Sequence, residues 1–271
     1  MRKWWKWLVG AIVAVVVLAV GIPFIYIHLI EGPAPPKLAL PTTHSTTTVA
    51  ASGTTSAGAS VGGTYNVGSG SEAGYRVTEV LVGQNSTAVG RTTKIWGSVT
   101  ISGDSVTAGT FTVDMASVVS DQSERNAQFD GRIMDVSRYP TAALKLTAPI
   151  SLGTVPALGT KVTYTATGDL TMHGVTRAVS FPLAAGRTAD GIYALADLAI
   201  LFSDWDIANP SVGGFVTTES SGTLEVLVYL TKGAGNPVTS GSNSSSNGNG
   251  GAPGEVTVPK TTVPRITIPS S

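Results

Sequence analysis

The sequence predicts an all-β domain over 63–232: a closed antiparallel barrel of about eight strands with one short helix. Three observations carry this. Lys161 to Leu170 alternates strictly, with Val162, Tyr164, Ala166, Gly168 and Leu170 on one face and Lys161, Thr163, Thr165, Thr167 and Asp169 on the other, the period of a strand with one dry and one wet side. Similar extended runs recur along the domain, separated by glycine-bearing turns. Only Ser120 to Met134 breaks the rhythm. Many antiparallel strands interrupted once by a helix suit a sheet that closes and so removes its edges, although strand count alone also fits an open sandwich.

From the N-terminus, Leu8 to Ile30 is 23 residues without a formal charge, preceded by Arg2, Lys3 and Lys6 and followed by Glu31. As a helix it would be about 35 Å long, enough for a hydrocarbon core of about 30 Å. The basic flank predicts a cytoplasmic N-terminus and an extracytoplasmic domain. Trp4, Trp5 and Trp7 suit the inner interface and Tyr26 the outer, Pro23 is a kink site, and His28 reads as interfacial. A cleaved signal peptide would have an apolar region of about 7 to 15 residues ending in a small-x-small site, which Phe24 to Ile30 lacks. We therefore expect residues 1–30 to be an uncleaved single-pass signal anchor in the cell membrane. Residues 31–62, rich in Pro, Thr, Ser, Ala and Gly, read as a flexible linker spanning roughly 30 Å as a coil.

Expected strands are Thr64–Val67, Tyr75–Val82, Lys94–Ile101, Val106–Met115, Ala142–Ile150, Lys161–Leu170, Val175–Leu183, Ile192–Phe202 and Thr223–Leu230, with turns at Ser102-Gly103-Asp104 and Asp190-Gly191. In Ser120–Met134, Asp121 and Ser123 are candidate N-caps, and Phe129, Ile133 and Met134 share a helix face. From Gly233 the chain turns Gly/Asn/Ser-rich and ends in VTVP, TTVP and ITIP segments. Their recurring prolines forbid helix and central strand, so 233–271 reads as a disordered tail, with a cell-wall or protein contact as the alternative.

Lysine plus arginine (17) balances aspartate plus glutamate (17), and the domain itself is net −4, so nucleic acid is not an expected partner. The lack of cysteine removes disulfides, thiol nucleophiles and cysteine-ligated metals. Of three histidines only His173 falls in the domain, inside GDLTMHGVT; Asp169 and Ser180 make a weak set for hydrolysis beside it, and a turn histidine bonded to backbone or solvent is expected instead. Asp121, Glu124, Asp130 and Asp135 interleave with Arg125, Arg132 and Arg138, which suits surface pairing better than a calcium cage. FSDWDI (Phe202–Ile207) reads equally as a strand end with a buried indole or as a ligand-facing segment. Gly62-Gly63 and Gly213-Gly214 lack a phosphate-loop setting, and no cofactor is implied.

Several longer stretches carry a resemblance: GYRVTEVL (Gly74–Leu81), the VGRT turn (Val89–Thr92), TFTVDMASVVSDQSERN (Thr110–Asn126), RIMDVSRYPTAALKLTAPI (Arg132–Ile150), GDLTMHGVTRAV (Gly168–Val179) and FSDWDI. On these, the span from about Thr64 to Leu230 resembles the YceI family of exported polyisoprenoid-binding proteins. It departs at Phe202, near where many members carry an arginine. The resemblance implies a lipocalin-like barrel with a helix near one end, an interior that holds an isoprenoid chain, and no settled catalytic activity.

The expectation is thus a membrane-anchored, extracytoplasmic, non-enzymatic protein holding or carrying an isoprenoid lipid of quinone or polyprenyl type. The candidate bore residues are Tyr75, Trp96, Phe111, Val113, Phe129, Ile133, Tyr164, Leu170, Phe181, Phe202 and Trp205. The rival is a ligand-free envelope adaptor whose barrel is filled by its own side chains and whose tail or loops bind wall or protein partners.

Overall fold

The computed structural model describes residues 2–25, 34–41, 61–81, 83–211 and 216–233. The readings made for Tyr26, His28, His44, Gly213-Gly214, linker residues 42–60 and the tail from 234 concern residues outside these. Helix α1 (Arg2–Ile25) covers the first part of the expected span, and its described side chains, 4–18, are all exposed. Among the described residues no helix is long and apolar enough to cross a membrane; the expected span runs on into residues that are not described.

Thirteen strands form the described sheet: β1 (Gly63–Val67), β2 (Glu72–Leu81), β3 (Gln84–Thr92), β4 (Ile95–Ser102), β5 (Ser105–Asp114), β6 (Val119–Ser120), β7 (Thr141–Leu146), β8 (Ile150–Ser151), β9 (Lys161–Met172), β10 (Val175–Arg187), β11 (Ile192–Leu201), β12 (Val216–Thr218) and β13 (Ser221–Lys232). Closure comes from β1, which pairs antiparallel with β4 on one side and with β13 on the other. The ring β1-β4-β5-β7-β9-β10-β11-β13 is an eight-stranded antiparallel barrel, which settles the barrel against the sandwich. Further along β13, residues 223–227 pair with β2, which carries β3 and β12 and extends the wall.

The differences from the expected strands have local causes. Gln84–Thr92 was expected to hold a turn at Val89–Thr92, yet it is a full strand, because β2 supplies a partner at every residue from Ala73↔Thr92 to Leu81↔Gln84. The run Ala142–Ile150 is broken between β7 and β8, where Pro149 has no N–H to give a ladder. The run Ile192–Phe202 stops at Leu201, and Phe202–Trp205 coils into a 3-10 turn. In the helical insertion, the N-cap position of α2 (Ser123–Gln128) is held by Gln122, whose side chain makes no capping bond, and not by Asp121 or Ser123. Their side chains are engaged elsewhere, Asp121 with Arg125 and Ser123 with Glu124. One wide π-helical turn, Phe129–Ile133, follows.

The β9–β10 hairpin turns in two residues, His173 (φ 50°) and Gly174 (φ 77°). Positive φ at both central positions matches the right-handed twist of the flanking strands. Glycine is also needed for space, since a Cβ at 174 would lie 2.5 Å from the Tyr139 ring.

The linker is not free throughout. Residues 34–41 lie along the outer wall, where Arg76 Nη2 donates to the Pro35 carbonyl (2.8 Å) and Arg91 Nη2 to that of Pro36 (2.9 Å). Leu38 and Leu40 alternate as the half-buried residues of this strap, beside Tyr193 and Leu195 on the outer face of β11. The same two arginines hold Glu225 of β13, which is 0% exposed: Arg76 Nε donates to one carboxylate oxygen (2.6 Å) and Arg91 Nη2 to the other. Arg91 also reaches Glu72 (3.3 Å), while its Nε is buried without a partner.

Candidate functional site

Inside the barrel, alternation puts Leu224, Val226, Val228 and Leu230 of β13 and Ala194, Ala196 and Leu198 of β11 on the inner wall. Two clusters of buried residues meet along the axis. One centres on Ile101, Ile150, Ala166 and Phe181, the other on Met115, Phe129, Met134 and Phe202 below the helical insertion. They do not fill the space between them. A continuous cavity of about 320 Å³ runs through both, at the lower end of the ~300–1,000 Å³ range of small-molecule sites. Inward-facing Phe111, Leu144, Leu183, Leu198 and Val226 are only partly buried because the lumen leaves one side of them uncovered.

The hollow has an origin in the sequence. An eight-stranded ring is just wide enough for its own side chains to fill, but here alanines stand at inner positions 73, 166, 185, 194 and 196. Short side chains on one stretch of wall leave the width that leucine or phenylalanine would take up.

Of the eleven expected bore residues, Tyr75, Phe111, Val113, Phe129, Ile133, Tyr164, Leu170, Phe181 and Phe202 line this cavity. Trp96 and Trp205 do not, and both expectations are corrected. Trp96 lies between inward Ile95 and Gly97 and therefore points to the outer face of β4. Trp205 is buried (3% exposed) behind the wall, its indole N–H donating to the Leu170 carbonyl (3.3 Å). In FSDWDI the indole of Trp205 is buried, while Phe202 and Ile207 of the same segment line the cavity.

One end of the cavity is lined by the helical insertion and carries most of its charge. Tyr75 lies flat against β3 because residue 90 is glycine, where a Cβ would stand 2.3 Å from the ring. Its other face stacks on Phe129 with centroids 5.2 Å apart. Arg125 of α2 bonds Glu79 of β2 (3.0 Å) and Asp121, and Arg125, Glu79 and Thr218 all reach the cavity. Burial pushes the Tyr75 phenol up to about 12; the Arg125 charge pulls the other way, and Glu79, Asp121 and Asp130 add to the rise. Among the described residues, two side-chain hydroxyls on the cavity wall, those of Tyr164 and Thr218, are buried without a hydrogen-bond partner.

Arg132 and Arg138 do not pair with carboxylates as expected. Arg132 bonds Gln128 and the carbonyls of Asn209 and Pro210, and Arg138 lies over the Tyr139 ring. His173 sits in its turn with Nδ1 3.0 Å from the Trp205 carbonyl oxygen and the Tyr139 ring edge-on at 4.7 Å. Ser180 pairs with Thr167, five rungs from the turn, or about 17 Å along the strands, so His173 and Ser180 cannot act as one catalytic set.

A family model described as a YceI-like domain matches residues 65–228. The chain belongs to the YceI-like family. In structure this YceI-like chain is similar to a polyisoprenoid-binding domain from Saccharophagus degradans implicated in plant cell wall breakdown. Sequence identity there is 13% over 63% of this chain and 99% of that one, with a TM-score of 0.51. It is also similar to BcnA of Burkholderia cenocepacia (22% identity, 57% and 95% of the two chains, TM-score 0.44) and to a Campylobacter jejuni YceI protein (17%, 52% and 83%, TM-score 0.40). No curated protein matches the chain.

The residues that sequence reading missed are of two kinds. Leu144, Leu183, Ala194, Ala196, Leu198 and Val226 line the cavity, and their alternation within expected strands was the available signal; Ala73 and Ala185 also line it and lie just beyond the expected strand ends. Glu225 with Arg76 and Arg91 had no local signal, because the partners stand 149 and 134 residues apart in the chain.

Proposed function

We propose that this YceI-like barrel holds an isoprenoid lipid of quinone or polyprenyl type, with its chain along the cavity. The observation that carries the reading is the continuous apolar lumen of about 320 Å³, kept open by inner-wall alanines. Burying such a chain gains about 0.8 kcal/mol per methylene against water, but a bilayer is equally dry. Selectivity over the membrane therefore rests on fit and on polar contacts, for which the wall offers Tyr164, Thr218 and the Arg125–Glu79 end.

The same reading places the barrel outside the cytoplasmic membrane on a single-pass N-terminal anchor, and binding, not turnover, is its role. The basic N-terminal flank and the apolar stretch Leu8–Ile30 support the anchor. The strap supports proximity: Pro35 is held to the wall, so only residues 31–34 separate the expected anchor from the barrel, at most roughly 14 Å when fully extended. A tethered domain of this kind meets its lipid at a raised local concentration.

The test is to purify the full chain from its own host membrane, extract it and identify co-purified lipid by mass spectrometry. About one isoprenoid lipid per chain is expected. Repeated absence of lipid, together with no uptake of an added isoprenoid quinone, would transfer the assignment to the ligand-free adaptor.

A further inference from the structure

The lumen is apolar along most of its wall, and the exceptions differ in kind. Arg125 and Glu79 bond each other. Tyr164 stands apart from that charged end, among the cluster that includes Ala166, Phe181 and Leu183. It lies on the inner face of β9 opposite Leu183, and its ring is half-buried, with the free side toward the cavity. Its hydroxyl is buried and makes no hydrogen bond to any of the described residues. Burial also raises the phenol's pKa, so the group stays protonated, a donor without an acceptor.

Such a group has a cost. An unsatisfied buried hydroxyl loses its hydration and gains nothing in return, and a phenylalanine would fit the same apolar surroundings without that loss. Buried tyrosine hydroxyls usually find a partner. An acceptor carried by the occupant of the cavity would supply one here.

We propose that Tyr164 selects the occupant: its hydroxyl donates a hydrogen bond to an acceptor oxygen on the lipid, so that an oxygen-bearing isoprenoid is preferred over a hydrocarbon of the same length and branching. The inference rests on the lipid-binding reading above and adds the ligand's chemistry to it. A hydrocarbon would fill the same space and leave the hydroxyl unpaired, whereas a carbonyl, ether or alcohol oxygen at that depth satisfies it. A site built to bond a polar atom discriminates strongly against an analogue that lacks it.

The experiment compares the full-length protein with Tyr164→Phe, using three probes: a twenty-carbon isoprenoid alcohol, its deoxygenated hydrocarbon, and a short-chain isoprenoid quinone. Dissociation constants are read by displacement of a fluorescent lipid. The wild type is expected to bind the alcohol and the quinone about 5–10-fold more tightly than the hydrocarbon, the worth of one hydrogen bond. In Tyr164→Phe the three should converge, through weaker binding of the oxygenated probes and unchanged or tighter binding of the hydrocarbon. The ligand-free variant should unfold at the same temperature as the wild type or higher, since it loses only an unpaired group; a lower unfolding temperature would mean the hydroxyl is structural and would overturn the proposal. Equal binding of all three probes by the wild type, or a preference that survives in Tyr164→Phe, would also overturn it while leaving lipid binding intact. If the wild type takes up none of them, the lipid-binding reading fails and this inference with it.

Discussion

Two buried polar groups, one on each face of the barrel wall, are treated in opposite ways. On the outer face of β13, Glu225 is fully buried, yet each of its carboxylate oxygens meets a guanidinium, and those guanidinium groups also hold the strap carbonyls. On the inner face of β9, the Tyr164 hydroxyl is buried with nothing to bond. A polar group that holds the fold together has its partners in the chain. One left without them, beside an open cavity, points to a partner from outside.

The contrast can be broken most sharply on the outer face. Glu225→Ala leaves Arg76 and Arg91, each with a side chain 16% exposed, without their shared counter-charge, and should destabilise the protein by about 3–5 kcal/mol in denaturant unfolding. A loss below about 1 kcal/mol would show the cluster to be marginal. Next in size is the inner face: Ala196→Phe fills the lumen at an inner-wall position and should cut uptake of an isoprenoid lipid at least tenfold. Because the ring enters existing space, stability should change by less than about 1.5 kcal/mol.

The strap sharpens the comparison further. Replacing both Leu38 and Leu40 with Asp removes its half-buried contacts and should cost roughly 1–2 kcal/mol, with limited proteolysis moving into residues 34–41. Unchanged protection there would show that the two arginine bonds suffice to hold it. The smallest effect lies in the alkaline limb. The folded pKa of Tyr75 lies near 12, above its ordinary 10, so the folded state retains the proton longer than the unfolded one. Its stabilising contribution is complete below pH 10 and is lost as pH rises toward 12. Ultraviolet titration should show Tyr75 ionising late, and Tyr75→Phe should remove that late step and flatten that part of the stability curve.

Much of the wall was legible in the sequence because a strand's period is local. The alternation of Lys161–Leu170 assigned Tyr164, Ala166 and Leu170 to the dry face, and these residues line the cavity. The GDLTMHGVT turn announced its hairpin through its glycine, whose missing side chain also leaves room for the Tyr139 ring. Where the reading failed, the deciding contacts were distant. Trp96 is not a bore residue, because its strand neighbours face inward and it does not. The turn expected at Val89–Thr92 is instead the end of a strand, because β2 gives Gln84–Thr92 a partner at every rung. The Pro-rich linker looked free because nothing within it shows that Arg76 and Arg91 wait across the sheet.

By itself, then, the sequence determined which side chains share a face, where the chain turns and which family the domain resembles, since each follows from neighbours a few residues apart. Only the tertiary structure decided that β1 bridges β4 and β13, and this pairing turns one face into the wall of a lumen. It also decided that Glu225 would be met by two arginines and the Tyr164 hydroxyl by none. Strand register and closure are set by pairings between residues far apart in the chain, and no local pattern encodes them.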